Sequence, residues 1–467
     1  MRNLLLGLLL LIGSQSVAAG KKPNILFIAV DDLRPEIFSF GRDHMITPNI
    51  DRLAKSGVVF ERAYCMVPTC GASRASLMSG IRPARNRFIT YTSRADQDTP
   101  NAVTLNTHFK KNGYHTVSLG KIFHTPADNE SGWSEKPVRP KAPTYANAAS
   151  MKNPKRSKGR KRGAPYEAGD VEDSFYTDGQ IADQAVSDLT RLAKKEKPFL
   201  LAVGFTKPHL PFVAPKKYWD LYPAKTISLP DNYYAPKYAP KEAIHSSGEL
   251  RSYAGVPAKG PVSDEMALNM IRGYRACVSY TDSHIGRLLD TLDELDIRND
   301  TVIVLWGDHG WNLGEHTLWC KHCTFETSMN APLLFSAPAL AGAKRGVATK
   351  SFAEFIDIYP TLCDLTGLSE PDHLEGTSLV PILKNPNTRV KQAAIGRFGS
   401  GDTIRTDRYR FRMYHDRKGK LVSRMLYDHR EDPHENLNIS ELPENKDLVA
   451  HLTHQLVSQM GKPSSKK

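Results

Sequence analysis

Residues 23–32 read Pro-Asn-Ile-Leu-Phe-Ile-Ala-Val-Asp-Asp. From Ile25 to Val30 no residue is polar, which predicts a strand buried on both faces, as in a parallel sheet covered by helices on each side. The run stops at two adjacent carboxylates, Asp31 and Asp32. Neighbouring carboxylates at the end of a buried strand repel each other unless a cation sits between them. Open α/β sheets bind their ligands at the carboxyl ends of strands. The alternative is a capping pair on a solvent turn.

The same pattern recurs three times. Tyr114 to Leu119 reads as a strand and leads into Gly120-Lys121-Ile122-Phe123-His124. Pro198 to Phe205 leads into Lys207-Pro208-His209-Leu210-Pro211-Phe212, where two prolines stiffen the turn and fix the direction of His209. Thr301 to Trp306 leads into Gly307-Asp308-His309-Gly310, followed by Glu315, His316 and Lys321.

Helical patterns lie between these strands. Thr47-Pro48-Asn49 opens a helix that runs to Lys55, with Gly57 beyond it. Ile181, Ala185, Leu189 and Leu192 are spaced as on one helix face, and Asp264 to Leu295 is strongly helical. Val58 to Tyr64 and Pro332 to Ala337 are expected strands, and Phe352 to Leu365 an expected helix. From residue 388 the pattern changes to short alternating strands (Ala393–Phe398, Thr403–Arg405, Tyr409–Tyr414) and a closing amphipathic helix from Asp447 to Met460. The expected architecture is an α/β sandwich with a large, mostly parallel central sheet flanked by helices, plus a small C-terminal antiparallel sheet with a helix.

The chain has 467 residues, enough for a large α/β domain and a smaller one. Met1-Arg2-Asn3, the apolar run Leu4 to Ile12 and the Val17-Ala18-Ala19 end match a secretory signal peptide over residues 1–19. That run is too short to anchor permanently in a bilayer, and no later stretch is long enough for a transmembrane helix. The expected location is periplasmic or secreted. Residues 20–387 are then the catalytic domain and 388–467 a C-terminal subdomain.

The net charge of +13 suits an anionic partner. Nucleic acid is the usual partner for such charge, but export argues for an anionic polysaccharide or an anionic surface. Six cysteines in an exported chain of this length do not indicate a disulfide scaffold, and Cys320-x-x-Cys323 lacks a second pair at zinc-site spacing. Residues 126–170 are rich in proline, glycine and charge, and Lys152 to Arg162 carries seven lysines or arginines. This stretch reads as a surface loop or as an arm that contacts a polyanion. Residues 213–262 are too long for a simple connection and read as a pocket rim.

Val67-Pro68-Thr69-Cys70-Gly71-Ala72-Ser73-Arg74 places a cysteine among small residues at the start of a helix, with an arginine one turn on. A helix N-terminus with a fixed cation can hold an anion or activate a sulfur; the alternative is a small cysteine that only packs. Across the strand ends, Asp31, Asp32, Asp308 and His309 are metal-ligand candidates. Cys70 and Arg74 are a nucleophile and its support, with Lys121, His124, His209 and Lys321 as cations around them. Three carboxylates favour Ca2+ or Mg2+ over zinc, and the surrounding positive charge suits sulfate or phosphate. A thiol is a poor partner for a hard cation, which suggests that Cys70 is chemically altered before use.

These residues carry a resemblance. Cys70-Gly71-Ala72-Ser73-Arg74, Gly120–His124, Lys207–Phe212 and Asp308-His309-Gly310-Trp311-Asn312-Leu313-Gly314-Glu315-His316 occur in the order of a type I sulfatase. The chain therefore resembles the sulfatases of the alkaline-phosphatase-like superfamily, and most of all the iduronate-2-sulfatase branch. One departure is Ala72, where the common core Cys-x-Pro-x-Arg has proline. The resemblance implies oxidation of Cys70 to Cα-formylglycine by a separate formylglycine-generating maturation enzyme. The hydrated group would ligate Ca2+, ahead of Mg2+, together with Asp31, Asp32, Asp308 and His309. One of its hydroxyls would attack sulfur while Arg74 and Lys121 hold the diol and the sulfate oxygens. Lys321 and His209 would bind the sulfate, with His209 protonating the leaving sugar oxygen and His124 taking the last proton. The implied substrate is a sulfated polysaccharide or its oligosaccharides: a glycosaminoglycan, or an algal polymer such as carrageenan or ulvan. The alternatives are a phosphatase or phosphonate monoester hydrolase on the same fold, or an inactive polyanion-binding relative.

Overall fold

The computed structural model describes residues 22–157 and 159–460; the expected signal peptide lies outside the described residues. Seven strands build the central sheet: β1 (Asn24–Val30), β2 (Val58–Phe60), β3 (His115–Gly120), β4 (Phe199–Phe205), β5 (Thr301–Gly307), β6 (Leu333–Ser336) and β7 (Val347–Thr349). Their order is β7-β2-β6-β5-β1-β4-β3. β1 pairs in parallel with β5 and β4, and β4 with β3, whereas β6 runs antiparallel to both its neighbours.

Every residue of β1 is buried. Successive strand side chains point to opposite faces. Leu26, Ile28 and Val30 join one core with helices α3 (Thr177–Leu192) and α4 (Asp264–Glu294), while Ile25, Phe27 and Ala29 join the other with α2 (Cys70–Ser79) and α5 (Ile358–Thr366). α1 (Pro48–Lys55) packs on the first face. Its first residue is Pro48, at a position where an N–H would have no intrahelical partner, so the N–H that proline lacks is not missed. α4 is capped by Ser263, whose side chain accepts the Met266 N–H.

The C-terminal part forms a four-stranded antiparallel meander of β8 (Ala394–Phe398), β9 (Gly401–Arg405), β10 (Tyr409–His415) and β11 (Leu421–Asp428). Helix α6 (Lys446–Met460) covers it through Val449, Leu452 and Leu456.

Several details differ from the sequence reading. Val58–Tyr64 is two short strands separated at Glu61 and Arg62, because Ala63 and Tyr64 pair with Ala353 and Glu354 instead of the central sheet. β7, unforeseen, extends the sheet by pairing in parallel with β2. The basic segment is a hairpin, with Lys155–Ser157 antiparallel to Arg160–Arg162.

Candidate active site

Four neighbouring strands, β5-β1-β4-β3, deliver the chemistry at their carboxyl ends. Their ladders continue one residue into the site: Asp31 N–H donates to Phe205, Asp308 N–H to Val30 and Lys121 N–H to Gly204. Asp31 and Asp32 follow β1, Lys121 and His124 follow β3, His209 follows β4, and Asp308 and His309 follow β5. The Lys207–Pro208 and Leu210–Pro211 bonds on either side of His209 are both cis.

α2 brings in Cys70 and Arg74. All ten of its residues are buried, and Cys70 is its first, where the backbone N–H groups are unpaired and the dipole is positive. Ser73 Oγ donates to the Asp308 carbonyl at 2.5 Å, which fixes the helix start against the end of β5. Gly71 must be a glycine: a Cβ there would lie 2.0 Å from the carbonyl oxygen of Tyr91.

Cys70 Sγ is 3.3 Å from His309 Nε2 and 3.7 Å from Asp32 Oδ1. His309 donates from Nδ1 to the Gly310 carbonyl at 2.9 Å, which leaves the Nε2 lone pair facing the site. That nitrogen is 3.4 Å from Asp32 Oδ1 and 3.6 Å from Asp308 Oδ1. Ligand atoms of Asp31, Asp32, Cys70 and His209 lie within 4.8 Å of one another, as do those of Cys70, Asp308 and His309. Buried carboxylate oxygens converging on an imidazole lone pair fit a hard divalent cation, and the three carboxylates favour oxygen-preferring metals. The donor set could thus hold such an ion.

Cations surround the acids. Arg74 donates through Nε to Asp308 at 2.9 Å and through Nη2 to Asp31 at 3.2 Å, and also to the carbonyls of Lys121 and Ile122. Its guanidinium lies 5.6 Å over the Trp306 ring. Lys121 pairs with Asp31. Lys321 Nζ is 2.9 and 3.0 Å from the two Asp32 oxygens.

The electrostatics follow from this crowding. Burial pushes Asp31 up, but Lys121, His209 and Arg74 outweigh it and hold the carboxyl well below the usual range. Asp32 stays raised, since burial prevails over His209 and Lys321. Burial, reinforced by Asp31, pushes the Cys70 thiol well above its ordinary value, so an unmodified Cys70 is a protonated, poor nucleophile. Burial and then Lys121 push His124 down to about 3, which keeps its ring neutral.

The cluster opens to solvent past Lys121, His209 and Glu249, whose side chains are 13, 19 and 15 % exposed, whereas Arg74 and the three aspartates are sealed. Asp31, Asp32, Cys70, Arg74, Lys121, His209, Asp308, His309 and Lys321 meet here, and His124 lies within electrostatic reach of Lys121 and Asp31, whereas Glu315 pairs with Arg34 and His316 with Asn232 away from the cluster. Two others were not foreseen. Glu249 bridges His209 Nε2 and Lys321 Nζ, each at 3.0 Å, and Arg139 holds the carbonyls of Phe123 and His124. Both belong to long rim segments that carry no motif, so nothing in the sequence singled them out.

A cavity of about 600 Å3 lies on the far side of His209, lined also by Tyr145, Tyr253, Arg160, Lys161 and Arg162. A cavity of about 760 Å3 elsewhere touches none of the cluster. Several of its charges are paired, Arg34 with Glu36 and Glu315, and Glu326 with Arg405 and Arg410.

The mostly parallel sheet with its strand-end cluster and the antiparallel C-terminal sheet form the alkaline-phosphatase-like α/β architecture. The chain belongs to the sulfatase family, whose model matches residues 23–368, and it is a sulfuric ester hydrolase. A second model, described as N-sulphoglucosamine sulphohydrolase, C-terminal, matches residues 314–462. A sulfatase of Formosa agariphila is 34% identical over 443 residues, covering 89% of this chain and 83% of that protein. Human iduronate 2-sulfatase is 32% identical over 382 residues, covering 74% and 70%. A structure solved with its substrate D-glucosamine-2-N,6-O-disulfate superposes with a TM-score of 0.77 at 20% identity, covering 96% of this chain and 100% of that one. Among the described residues no helix is long and apolar enough to cross a membrane.

Proposed function

We propose that this chain removes sulfate from a glycosaminoglycan-type carbohydrate, with a 2-O-sulfated uronic acid as its unit, using a formylglycine made from Cys70 beside a bound Ca2+. The observation that carries the reading is the seat of Cys70, the first residue of α2, with His309 Nε2 3.3 Å from its sulfur and buried carboxylates around it. The printed names and substrates of the relatives support the carbohydrate class. In the proposed layout residues 1–19 direct export to the periplasm or beyond, 20–387 hold the site, and 388–467 complete its rim.

Asp31, Asp32, Asp308 and His309 would hold the Ca2+, which supplies Lewis-acid polarisation of an ester oxygen. The formylglycine would supply, as its hydrate, an oxygen nucleophile that a hard cation accepts where a thiol does not. Arg74 and Lys121 stabilise negative charge at residue 70 and on the sulfate. Lys321 and His209 bind the sulfate oxygens. His209, on the open side, donates a proton to the departing sugar oxygen. His124, held neutral, has a lone pair free to accept the proton released with sulfate.

The test is peptide mass spectrometry on the full chain co-expressed with a formylglycine-generating enzyme, followed by sulfate release from sulfated sugars. The Cys70 peptide should show conversion of thiol to aldehyde, and Cys70→Ala should abolish turnover with the fold intact. An active protein whose Cys70 is still a thiol, or a Cys70→Ala chain as active as wild type, would overturn the mechanism. Faster release of phosphate than of sulfate from matched 4-nitrophenyl esters would favour the phosphatase reading instead.

A further inference from the structure

The hairpin formed by Lys155–Ser157 and Arg160–Arg162 is braced, although it projects from a long connection. Lys155 Nζ donates to the carbonyls of Arg251 at 3.2 Å and Val256 at 2.5 Å. The Arg162 guanidinium lies 5.0 Å over the ring of Tyr253. Arg251 in turn ties down its own loop by donating to the carbonyls of Ser246, Pro257 and Gly260. That loop carries Glu249, which touches His209 and Lys321. The hairpin is therefore fixed relative to the cluster.

Arg160, Lys161 and Arg162 face the cavity of about 600 Å3 that has His209 in its wall, a volume in the range of small-molecule sites. The other charged groups lining it are occupied: Asp178 accepts the N–H groups of Thr206 and Lys207, and Lys207 Nζ donates to the carbonyls of His209 and Pro211. Among the described residues no carboxylate pairs with Arg160, Lys161 or Arg162. Arg160, Lys161 and Arg162 thus line a cavity with tyrosines in its wall, whose one carboxylate, Asp178, is held by backbone N–H groups and not by these three cations, one imidazole away from the sulfate-binding cluster.

We propose that Arg160, Lys161 and Arg162, with Tyr253, form a second anion subsite beyond His209, which takes a sulfate or carboxylate of the sugar residue next to the one being desulfated. This rests on the reading above in one respect: with His209 protonating the departing oxygen, the cavity lies on the side of the rest of the carbohydrate chain. The enzyme is then selective for oligosaccharides with a negative charge on the neighbouring residue over isolated sulfated monosaccharides. Bracing adds to this selectivity, because a fixed subsite loses little freedom on binding.

Isothermal titration tests it, on the full chain with Ca2+ and a Cys70→Ala background that prevents turnover. The probes are a heparin-derived tetrasaccharide and a 2-O-sulfated uronic acid monosaccharide. Arg160→Gln with Lys161→Gln should weaken tetrasaccharide binding about tenfold and leave the monosaccharide unchanged, with the difference shrinking as salt screens the contacts. Arg162 is kept in this variant so that its contact with Tyr253 survives; adding Arg162→Gln should deepen the loss. Unchanged tetrasaccharide binding, or equal loss for both sugars, would overturn the subsite. Sulfate release from 4-nitrophenyl sulfate by the maturated, unsubstituted chain is read separately. Its absence counts against the catalytic reading, while the titration still decides the subsite.

Discussion

Replacing Arg74 with methionine should cost this enzyme several degrees of thermal stability, more without calcium than with it. Arg74 is fully buried and touches two carboxylates, Asp308 at 2.9 Å and Asp31 at 3.2 Å, as well as two backbone carbonyls. Methionine keeps an apolar stem beside Trp306 but removes the cation. Removing one partner of a buried ion pair costs about 3–5 kcal/mol, because the other charge stays behind. Unfolding entropy near 2.1 cal/mol/K per residue gives a chain of this length about 1 kcal/mol/K, so a loss of about 4 kcal/mol lowers Tm by about 4 °C. Differential scanning fluorimetry in EDTA reads this directly. In excess Ca2+ the difference should narrow, since a metal beside Asp31 and Asp308 supplies part of the missing charge. A fall below about 1 °C in EDTA would refute the idea that the guanidinium holds these carboxylates together. A difference that widens with Ca2+ would refute their joint role as its ligands.

Three further outcomes follow from the same coordinates. Asp308→Asn should lower bound calcium in elemental analysis of dialysed protein, and an unchanged content would remove Asp308 from the ligand set. His284 is buried against Tyr280 and Phe205, and burial pushes its ring down to about 4. The unfolded chain then takes up its proton first, so stability present above about pH 6.5 is lost on acidification toward pH 4. Between pH 7.5 and 5 wild type should lose about 2 kcal/mol more than His284→Leu in denaturant melts, and parallel losses would refute the assignment. Gly71→Ala should destabilise the chain by about 1–3 kcal/mol and cut sulfate release, because the Tyr91 backbone must move; wild-type behaviour in both assays would show the approach to be relaxed.

The central strands were legible because burial on both faces leaves an uninterrupted apolar run, and Asn24–Val30 and Phe199–Phe205 are such runs. The residues after them were legible for the converse reason: charge directly after such a run has to be used or neutralised. Strand Val347–Thr349 was not, because an edge strand of three residues with an exposed middle alanine has neither length nor apolar pattern. Glu249 escaped because its partners, His209 and Lys321, come from segments distant in sequence, and only the fold brings them together. The basic segment displayed its charge but not its hairpin, whose bracing depends on backbone carbonyls of residues 251 and 256.

The burial of Cys70 also sets a timetable. In the folded chain this residue is 2 % exposed, inside a helix with no accessible face. Under the proposed conversion of residue 70 by a separate enzyme, that enzyme could not bring its catalytic groups to the sulfur once the sheet has formed, so the conversion would have to precede folding. The sheet cannot close around Cys70 before β5 arrives with Asp308 and His309, about 240 residues later, which at 5–20 residues/s is a delay of ~12–50 s. Under that proposal the order of events becomes part of the enzyme's make-up: a chain that folded before it was modified would be shut out of activity by the same packing that surrounds the finished site.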